Sequence, residues 1–339
     1  MKDPVPLSET TIERDEMERA YDRIQELEWS FAQLPILHAA VETGLLGLLA
    51  TEDEVTAEQA STELGLHPMA AVKTLRALAA MGILAGAEHT FSMNPGYRPL
   101  FDPGSAIHHA NGQRHIFHLS RMWAQELPGW LKTGEWAKTP RDPDSMARFV
   151  ESMRALSYGM TGRLNEALDL TKSRHLVDFG GGLGTYAIEL CLRNPDLRAT
   201  VIDQEVVAPL TTDEIARHDL SDRIQALAGD YYDAPLPPQM DVALFANVLH
   251  QEQAEGAARL IARAADGLAP GGQLVVVDFI LEESRAEPTM GAYFAINMRL
   301  FGDTYTAGDF RDWMTAAGLT DVTRTDLGPN KFVIVARKA

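Results

Sequence analysis

HLVDFGGGLGTYAIELC, residues 175–191, is the stretch that indicates the fold. It begins with an apolar run, HLVDF, continues through a glycine-rich loop, and runs on into apolar residues at helical spacing. Gly180, Gly182 and Gly184 allow a tight turn and a close approach of the backbone to a ligand, with a helix N-terminus pointing at it. NAD-dependent enzymes use a similar loop, so the glycines alone leave the ligand open.

Three acidic residues at the ends of successive predicted strands narrow the choice of ligand. Asp178 lies directly before the glycines, where a carboxylate would repel the pyrophosphate of a dinucleotide and attract a cation. Asp203 ends the next apolar run, 19 residues after Gly184, where it suits ribose hydroxyls, and Asp230 follows the third run with Tyr231 beside it, suited to adenine. Each acid alone could simply cap a helix. A ligand with a ribose, an adenine and a positive charge, but no phosphate, is S-adenosylmethionine.

The alternation of strands and helices in the C-terminal half predicts an α/β fold. The runs HLVDF, RATVID, DVALFAN and GQLVVVDFIL are short, rich in Val, Ile and Leu, and separated by helical segments. Such runs are typical of parallel strands covered by helices on both faces, as in a doubly wound, Rossmann-like sheet. The chain end, DVTRTDLGPNKFVIVARK, reads as two strands joined by a Gly-Pro-Asn turn, so we expect an antiparallel pair to close the sheet.

The N-terminal region is predicted to be helical, with a winged-helix pattern. Residues 13–50 read as helix, and the apolar residues of 34–49 cover too wide an arc for a helix that faces solvent. We therefore expect that arc to be buried against a second subunit. After it come a helix, a turn at Gly65, a helix beginning at Pro68 and a short hairpin, in the order of a winged helix-turn-helix.

A winged helix often binds DNA, but the charges here argue against it. The helix that would enter the groove offers only Lys73 and Arg76. Its surroundings are acidic, with Glu52, Asp53, Glu54, Glu58 and Glu63. Two cations cannot supply the phosphate contacts of a DNA reader, and the net charge of −18 also repels nucleic acid and anionic membranes. We therefore predict a homodimer through this domain, with no nucleic-acid partner.

Length and composition fit a cytoplasmic globular enzyme. The 339 residues suffice for two domains, and no run approaches the roughly 20 apolar residues of a membrane span. The polar N-terminus does not resemble a signal peptide. A single cysteine, Cys191, excludes an intramolecular disulfide and is expected in the core.

A histidine cluster precedes the catalytic half of the chain: His108, His109, His115 and His118. Pairs at this spacing can share a metal on a helix face. However, no acid or cysteine stands at ligand spacing, and Arg114 and Arg121 would repel a cation. We expect no metal site.

Together these motifs resemble the class I S-adenosylmethionine-dependent methyltransferases, and specifically the two-domain small-molecule O-methyltransferases of plants and bacterial natural-product pathways. The shared motifs run in family order from about residue 30 to the end: VDFGGGLG, VIDQ, GDYYD, the histidine after the fourth strand, APGGQLVVVDFIL and TAGDFRDWMTAAGL. The resemblance implies a winged-helix dimerisation domain at 1–105, a helical, substrate-lining linker at 106–170, and a cofactor-binding catalytic domain at 171–339.

The resemblance also implies which residues form the site. The segment FVESMRALS resembles the one that flanks the cofactor sulfonium and the substrate in the family. The expected cofactor-binding residues are Asp178, Gly180, Gly182, Gly184, Asp203, Asp230, Tyr231, Asn247, Met153 and Ser157. The expected substrate-lining residues are Met122, Trp123, Phe149, Phe294, Asn297, Met298 and Phe301.

LFANVLHQEQ carries the histidine, His250, that the resemblance makes the general base. A neutral imidazole, with a reference pKa of about 6.5, can accept the proton of a phenol with a pKa near ~10. The family often has a lysine where this chain has Ala246, and a glutamate where it has Thr304, with Asp303 one residue earlier. Asp278 matches an acidic position that faces the histidine in the family. The alternative reading of His250 is a helix-start residue bonded to backbone.

These inferences predict an O-methyltransferase that acts on a hydroxyl of an aromatic or polycyclic natural product. Two alternatives stay open. The acceptor could be carbon or nitrogen, because the fold does not fix the acceptor atom. The chain could also be an acidic winged-helix regulator that senses a metabolite at its adenosyl site.

Overall fold

A computed structural model describes residues 14–86, 88–136, 143–238, 240–328 and 330–339. These residues form two compact units, of which unit 1 ends at Phe117 and unit 2 runs from His118 to Ala339. Every residue predicted to contact the cofactor or the substrate, or to act in catalysis, belongs to unit 2.

Unit 1 consists of short helices and a small antiparallel sheet. Its helices are α1 (Arg14–Trp29), α2 (Gln33–Glu42), α3 (Leu45–Thr51), α4 (Ala57–Leu64), α5 (Pro68–Ala80) and α6 (Arg98–Phe101); α7 (Ala110–Thr133) begins here and ends in unit 2. The strands β1 (Val55–Thr56), β2 (Leu84–Gly86) and β3 (Thr90–Met93) pair in the order β1-β3-β2. The predicted helix, turn, helix and hairpin are present. Gly65 ends α4 at a φ of +66°, and Pro68 opens α5.

The apolar arc of residues 34–49 was expected to pack on a second subunit, and this is wrong for those of its residues that are buried within unit 1. Leu45, Leu46 and Leu49 lie in the core of unit 1 itself. The arc looked too wide because it is not one helix: α2 ends at Glu42 and α3 begins after Gly44, whose φ is +77°. Large exposed apolar side chains stand instead on the preceding residues: Tyr21, Ile24, Leu27, Trp29 and Phe31.

Unit 2 contains a seven-stranded sheet within the described part of the chain. Its strands are β4 (His175–Phe179), β5 (Arg198–Asp203), β6 (Ile224–Ala228), β7 (Met240–Ala246), β8 (Leu268–Asp278), β9 (Leu319–Gly328) and β10 (Lys331–Lys338), in the order β6-β5-β4-β7-β8-β10-β9. The first five run parallel, and β10 pairs antiparallel with both β8 and β9. The predicted parallel sheet closed by an antiparallel pair is confirmed. Pro329 of the predicted turn lies outside the described residues.

The faces of this sheet are buried. The helices of unit 2, beside the end of α7, are α8 (Pro143–Ala167), α9 (Thr185–Arg193), α10 (Ala208–Arg217), α11 (Ala254–Gly267), α12 (Thr289–Met298) and α13 (Ala307–Ala316). Neighbouring residues of β4 belong to different apolar clusters: Val177 packs with Leu260 of α11, and Leu176 with Leu190 of α9. Burial on both faces explains why the strands read as continuous apolar runs. Cys191 is buried, as expected.

No single helix among the described residues is both long enough and apolar enough to cross a membrane. One pair of helices, Asp15–Glu42 with Leu45–Thr51, passes the length and composition criteria only when joined across a 70° bend.

Candidate active site

The carboxyl ends of the parallel strands bring the predicted acids to one edge of the sheet. Asp178 stands near the end of β4, Asp203 ends β5 and Asp278 ends β8, while Asp230 follows β6. Strand β4 lies between β5 and β7, so the strand order reverses at this point. Open parallel α/β sheets bind their ligands in the crevice at such a reversal.

The loop after β4 has room only for glycine at two positions. Gly180 has a φ of +68°, and a Cβ there would come within 2.9 Å of Cγ2 of Val248. Gly181 was not among the predicted residues, yet a Cβ on it would come within 2.5 Å of Oδ2 of Asp178. Positive φ angles also occur at Gly182 and Gly184. The loop therefore exposes backbone, rather than side chains, to a ligand.

Asp178 is a buried acid with no positively charged partner among the described residues. Its side chain is fully buried, and neither carboxylate oxygen has a hydrogen-bond partner among the described residues. Burial, followed by the charge of Asp203, raises the pKa of Asp178 to about 7. A buried carboxylate is costly unless it is paired, and a positively charged ligand in the adjoining loop would pair it. The residues present fit a cationic ligand and would repel a phosphate.

Asp203 connects the end of β5 to the glycine loop. Its Oδ2 accepts a hydrogen bond from the N–H of Gly182 at 2.8 Å, and its Oδ1 accepts one from the N–H of Gln204 at 2.8 Å. Burial raises the pKa of Asp203, although these two bonds oppose the shift. Each carboxylate oxygen can accept a further bond, so the predicted contact with ribose hydroxyls is compatible with this arrangement.

The segment after β6 forms a hydrogen-bonded group around a residue that the sequence did not suggest. Oδ1 of Asp230 accepts from the N–H of Tyr232 at 2.9 Å. The hydroxyls of Tyr231 and Tyr232 donate to the two carboxylate oxygens of Glu252, at 2.6 and 2.7 Å. The Tyr231 ring borders the loop, since its Cδ1 lies 3.7 Å from where a Cβ on Gly180 would stand. Glu252 has no sequence signal beyond its place between two glutamines.

His250 lies in the turn after β7 and faces the acid at the end of β8. Its Nδ1 is 2.7 Å from Oδ1 of Asp278, and both side chains are buried. Burial opposes ionisation of Asp278, but its interaction with His250, the charge of Lys331 and the bond from the N–H of Phe279 outweigh it and hold the pKa of Asp278 below its usual value. Because an ionised carboxylate only accepts hydrogen bonds, the proton belongs on Nδ1, and Nε2 is left to accept another.

The two candidates for a second orienting group contact backbone instead. Oγ1 of Thr304 donates to the carbonyl of Gly291 at 2.9 Å. The N–H of Asp303 donates to the carbonyl of His250 at 3.1 Å, and its carboxylate accepts from the N–H of Thr304 at 2.8 Å. These residues support the main chain around His250, whereas Asp278 is the carboxylate bonded to its ring.

Helix α12 supplies part of the wall beside the imidazole. Phe294 meets His250 edge to face, with ring centroids 4.8 Å apart and planes at 84°. Asn297 and Met298 are half-buried on the same helix. Phe301 is 63% exposed, so this predicted wall residue does not line an enclosed space in the structure.

Three tryptophans have buried indole nitrogens, and an arginine stacks on one of them. The indole N–H groups of Trp123, Trp130 and Trp136 are buried, with no hydrogen-bond partner among the described residues. The guanidinium carbon of Arg299 lies 4.5 Å from the Trp136 ring centroid, and its Nη2 lies 3.7 Å from Sδ of Met122. Met122 and Trp123 were predicted as substrate-lining. The other three were missed, because tryptophan and arginine on a helix or loop usually indicate ordinary packing.

Helix α8, which carries the segment FVESMRALS, borders the glycine loop. Phe149 packs with Leu183 of the loop and with Val207, which follows β5. Met153 is half-buried on the same helix. Ser157, one turn further on, hydrogen-bonds through its side chain to the hydroxyl of Tyr186 in α9, the helix that follows the loop.

Asn247 joins this helical side of the site to β10. It adopts a left-handed conformation, with a φ of +59°. Its Nδ2 lies 3.5 Å from the hydroxyl of Tyr186, a buried group whose pKa burial raises to about 12. Its Oδ1 accepts a hydrogen bond from Nζ of Lys331. Lys331 was not predicted, since a lysine at the start of a strand usually lies in solvent.

Comparison with known proteins identifies a matching family. The family model of the O-methyltransferase domain matches residues 119–320. A 3-hydroxy-5-methyl-1-naphthoate 3-O-methyltransferase from Streptomyces sahachiroi is 28% identical over 84% of this chain and 86% of its own. The tetracenomycin polyketide synthesis 8-O-methyl transferase TcmO from Streptomyces glaucescens is 30% identical over 93% of this chain and 96% of its own.

Further matches extend the range of acceptors and support the fold. The N,N-dimethyltransferase OxyT from Streptomyces rimosus is 27% identical over 76% of this chain and 78% of its own. Among solved structures, human N-acetylserotonin methyltransferase in complex with SAM superposes with a TM-score of 0.83 at 20% identity, covering 97% of this chain and 99% of that one.

Proposed function

The chain belongs to the O-methyltransferase family and is an S-adenosylmethionine-dependent methyltransferase, and from this we propose that it methylates a hydroxyl of an aromatic natural product. The acceptors named for the two relatives at 28% and 30% identity, a hydroxynaphthoate and a tetracenomycin polyketide, support an oxygen acceptor on an aromatic or polycyclic skeleton.

The observation that carries the proposal is the buried pair of His250 and Asp278, 2.7 Å apart at the sheet edge. An acceptor phenol is mostly protonated at neutral pH and must lose its proton to become a good nucleophile. Nε2 of His250 would take that proton, and Asp278 would hold the ring and stabilise its protonated form. This assigns His250 as general base and Asp278 as its orienting partner.

The cofactor side of the site is proposed from the groups around the glycine loop. S-adenosylmethionine supplies an activated methyl group on a positively charged sulfur. Asp178 would pair with the cationic part of the ligand, and Asp203 would accept hydrogen bonds from the ribose hydroxyls. Asp230 and Tyr231 would border the adenine. The predicted cofactor residues Met153, Ser157 and Asn247 would complete the methionine side.

The tryptophans Trp123 and Trp130 of α7, with Trp136 after it, support an oxygen-rich acceptor. Three buried indole N–H groups have no partner among the described residues, and this is costly unless an acceptor molecule supplies oxygen atoms to them. Arg299, stacked on Trp136, adds a positive charge that suits a carboxylate or a polarised carbonyl. Aromatic walls with a few polar groups are typical of small-molecule sites. We propose that the acceptor is oxygenated at more positions than the one it presents to His250.

The proposal is tested with methyl-labelled S-adenosylmethionine and a panel of hydroxynaphthoates, dihydroxynaphthalenes and hydroxyquinones, each matched by its amino analogue. We expect label on hydroxyl oxygen, identified by mass spectrometry of the product. Labelling of the amino analogues, with none of the hydroxyl compounds, would establish the N-methylation alternative, which the relative from Streptomyces rimosus favours.

We further propose that unit 1 is a dimerisation module of the winged-helix type, within the three-part division 1–105, 106–170 and 171–339. Five large apolar side chains of residues 21–31 are exposed, among them Trp29 at 71% and Phe31 at 66%. An exposed group of this kind in an acidic chain fits contact with a second copy of the same surface.

Light scattering tests this assembly. The protein is expected to have the mass of a dimer at micromolar concentration, and the double variant Trp29→Glu, Phe31→Glu that of a monomer. The control is Leu192→Glu, an exposed leucine on α9, which should leave the mass unchanged. A wild-type protein with the mass of a monomer would contradict the proposal.

A further inference from the structure

Lys331 occupies an unusual position for a lysine at the start of a strand. Strand β10 runs antiparallel to β8 with Phe332 opposite Asp278, so Lys331 stands at the same sheet edge as the catalytic pair. On the other side of β8, the parallel strand β7 ends at the same edge in Ala246, which carries no charge. The amine therefore reaches the site from the antiparallel strand, two strands away from β7 in the sheet.

The amine is held at its place by two contacts. Nζ donates a hydrogen bond to Oδ1 of Asn247 and lies 3.3 Å from the centroid of the Phe279 ring. A cation over an aromatic face is attracted by the ring, most strongly where water is excluded. Asn247 is itself fixed, because its N–H donates to the carbonyl of Val277 at 2.8 Å. A flexible lysine side chain is thus held inside the site instead of extending into solvent.

We propose that Lys331 is a positioning residue of the methyl-transfer site, whose positive charge sets the protonation state of the His250–Asp278 pair. The inference rests on the proposed function of that pair. Lys331 acts through its neighbours and does not itself exchange a proton with the acceptor.

The charges on this edge explain how the effect arises. The titratable groups near the ammonium are Asp278 on β8, whose charge acts on Lys331, and, across Asn247, Tyr186 on α9. His250 is linked to the ammonium through Asp278, to which its ring is bonded. Burial lowers the pKa of Lys331 to about 8, although Asp278 opposes the shift, so the amine is still mostly protonated at neutral pH. One carboxylate then faces one ammonium and one imidazole.

This balance favours a neutral imidazole before the reaction. An ammonium next to Asp278 keeps the carboxylate ionised, and it disfavours a second positive charge on the imidazole. His250 therefore waits as the neutral base, and once it has taken the acceptor proton it releases that proton readily. Without Lys331, the ring would hold a proton at higher pH and a smaller share of the enzyme would be active.

The test reads the imidazole directly. Protein with labelled histidine is titrated by NMR without cofactor or acceptor, and the His250 signal is assigned with a His250→Asn variant. In Lys331→Met we expect the titration midpoint of His250 to rise by about 1 pH unit, at the low end of the range for loss of a nearby charge. Lys331→Arg keeps the charge and should restore the midpoint. The control is Lys338→Met on the same strand, whose amine bonds the carbonyls of Ala265 and Asp266.

The same variants separate charge from packing. Lys331→Gln keeps a hydrogen-bond donor for Asn247 without the charge, so it should shift the midpoint as Lys331→Met does, and it carries the test if the methionine variant does not fold. A folded Lys331→Gln with an unshifted midpoint would overturn the proposal. Because no turnover is involved, this result stands apart from the question of whether His250 is the base, which labelled methyl transfer by His250→Ala answers.

Discussion

Two aspartates at the same sheet edge, Asp178 on β4 and Asp278 on β8, share their residue type and their burial but not their surroundings. Asp278 is bonded to His250 and faces Lys331, and its pKa lies below the usual value. Asp178 lacks a hydrogen-bond partner among the described residues, and its pKa is raised to about 7. Asp278 is thus paired within the protein, whereas the surroundings of Asp178 support the proposal that a cationic ligand pairs with it.

The largest effect is expected from removing His250, the proposed base, which is bonded to the paired aspartate. His250→Ala should lower turnover roughly 10²–10⁴-fold at pH 7, the usual range for loss of a positioned proton acceptor. The loss should shrink at high pH, where an acceptor phenol ionises unaided. Affinity for S-adenosylmethionine, measured by calorimetry, should hardly change. Near-full activity of the alanine variant at pH 7 would contradict the role of general base and would support the alternative, in which His250 is a helix-start residue bonded to backbone.

A smaller effect is expected at the paired aspartate itself. Asp278→Asn should lower turnover by roughly 10- to 100-fold, corresponding to about 1.5–3 kcal/mol for a hydrogen bond to a charged group. The asparagine would still orient the ring but would no longer stabilise its protonated form. Asp303→Asn is the matched control, since Asp303 bonds the backbone near His250, and it should retain most activity. Equal losses in the two variants would contradict the assignment of Asp278.

The smallest effect is expected at Asp178. Its replacement should weaken cofactor binding but stabilise the folded protein. Asp178→Asn should weaken S-adenosylmethionine binding about tenfold, because an ion pair becomes a neutral contact. Above pH 7 the cofactor-free variant should nevertheless be more stable than the wild type. Its free energy of unfolding should be larger by roughly 1–3 kcal/mol, and it should unfold at a higher temperature.

The sign follows from the raised pKa of Asp178. The folded protein holds this proton up to about pH 7, whereas the unfolded chain releases it near 3.8. The stabilising contribution of the protonated acid is therefore complete below about pH 4 and is lost as the pH rises through about 7. Asparagine resembles the protonated form, so the variant should match the wild type at pH 4 and exceed it at pH 8. Thermal unfolding without cofactor at the two pH values measures this, and no difference at pH 8 would contradict the comparison.

The sequence was sufficient where a local pattern fixes the structure. Continuous apolar runs predicted the buried parallel strands, and the glycines after HLVDF predicted the cofactor loop, because each depends on neighbours in the chain. Asp178, Asp203 and Asp230 were placed at one edge because parallel strands end on the same side of a sheet. The apolar arc of residues 34–49 was misread, because one residue, Gly44, divides it into two helices that face their own core.

What the sequence by itself determined is the mostly parallel α/β fold, the glycine loop after its first strand and the family motifs, and with them the cofactor. Only the tertiary structure decided which groups are paired. It bonded Asp278, and not Asp303 or Thr304, to the ring of His250. It also brought Lys331 into contact with Asn247 at the sheet edge where β7 ends in the uncharged Ala246. It placed Glu252 where two tyrosine hydroxyls donate to its carboxylate. These contacts join residues that are 20 to 84 positions apart in the chain, so they depend on strand order and register rather than on local spacing.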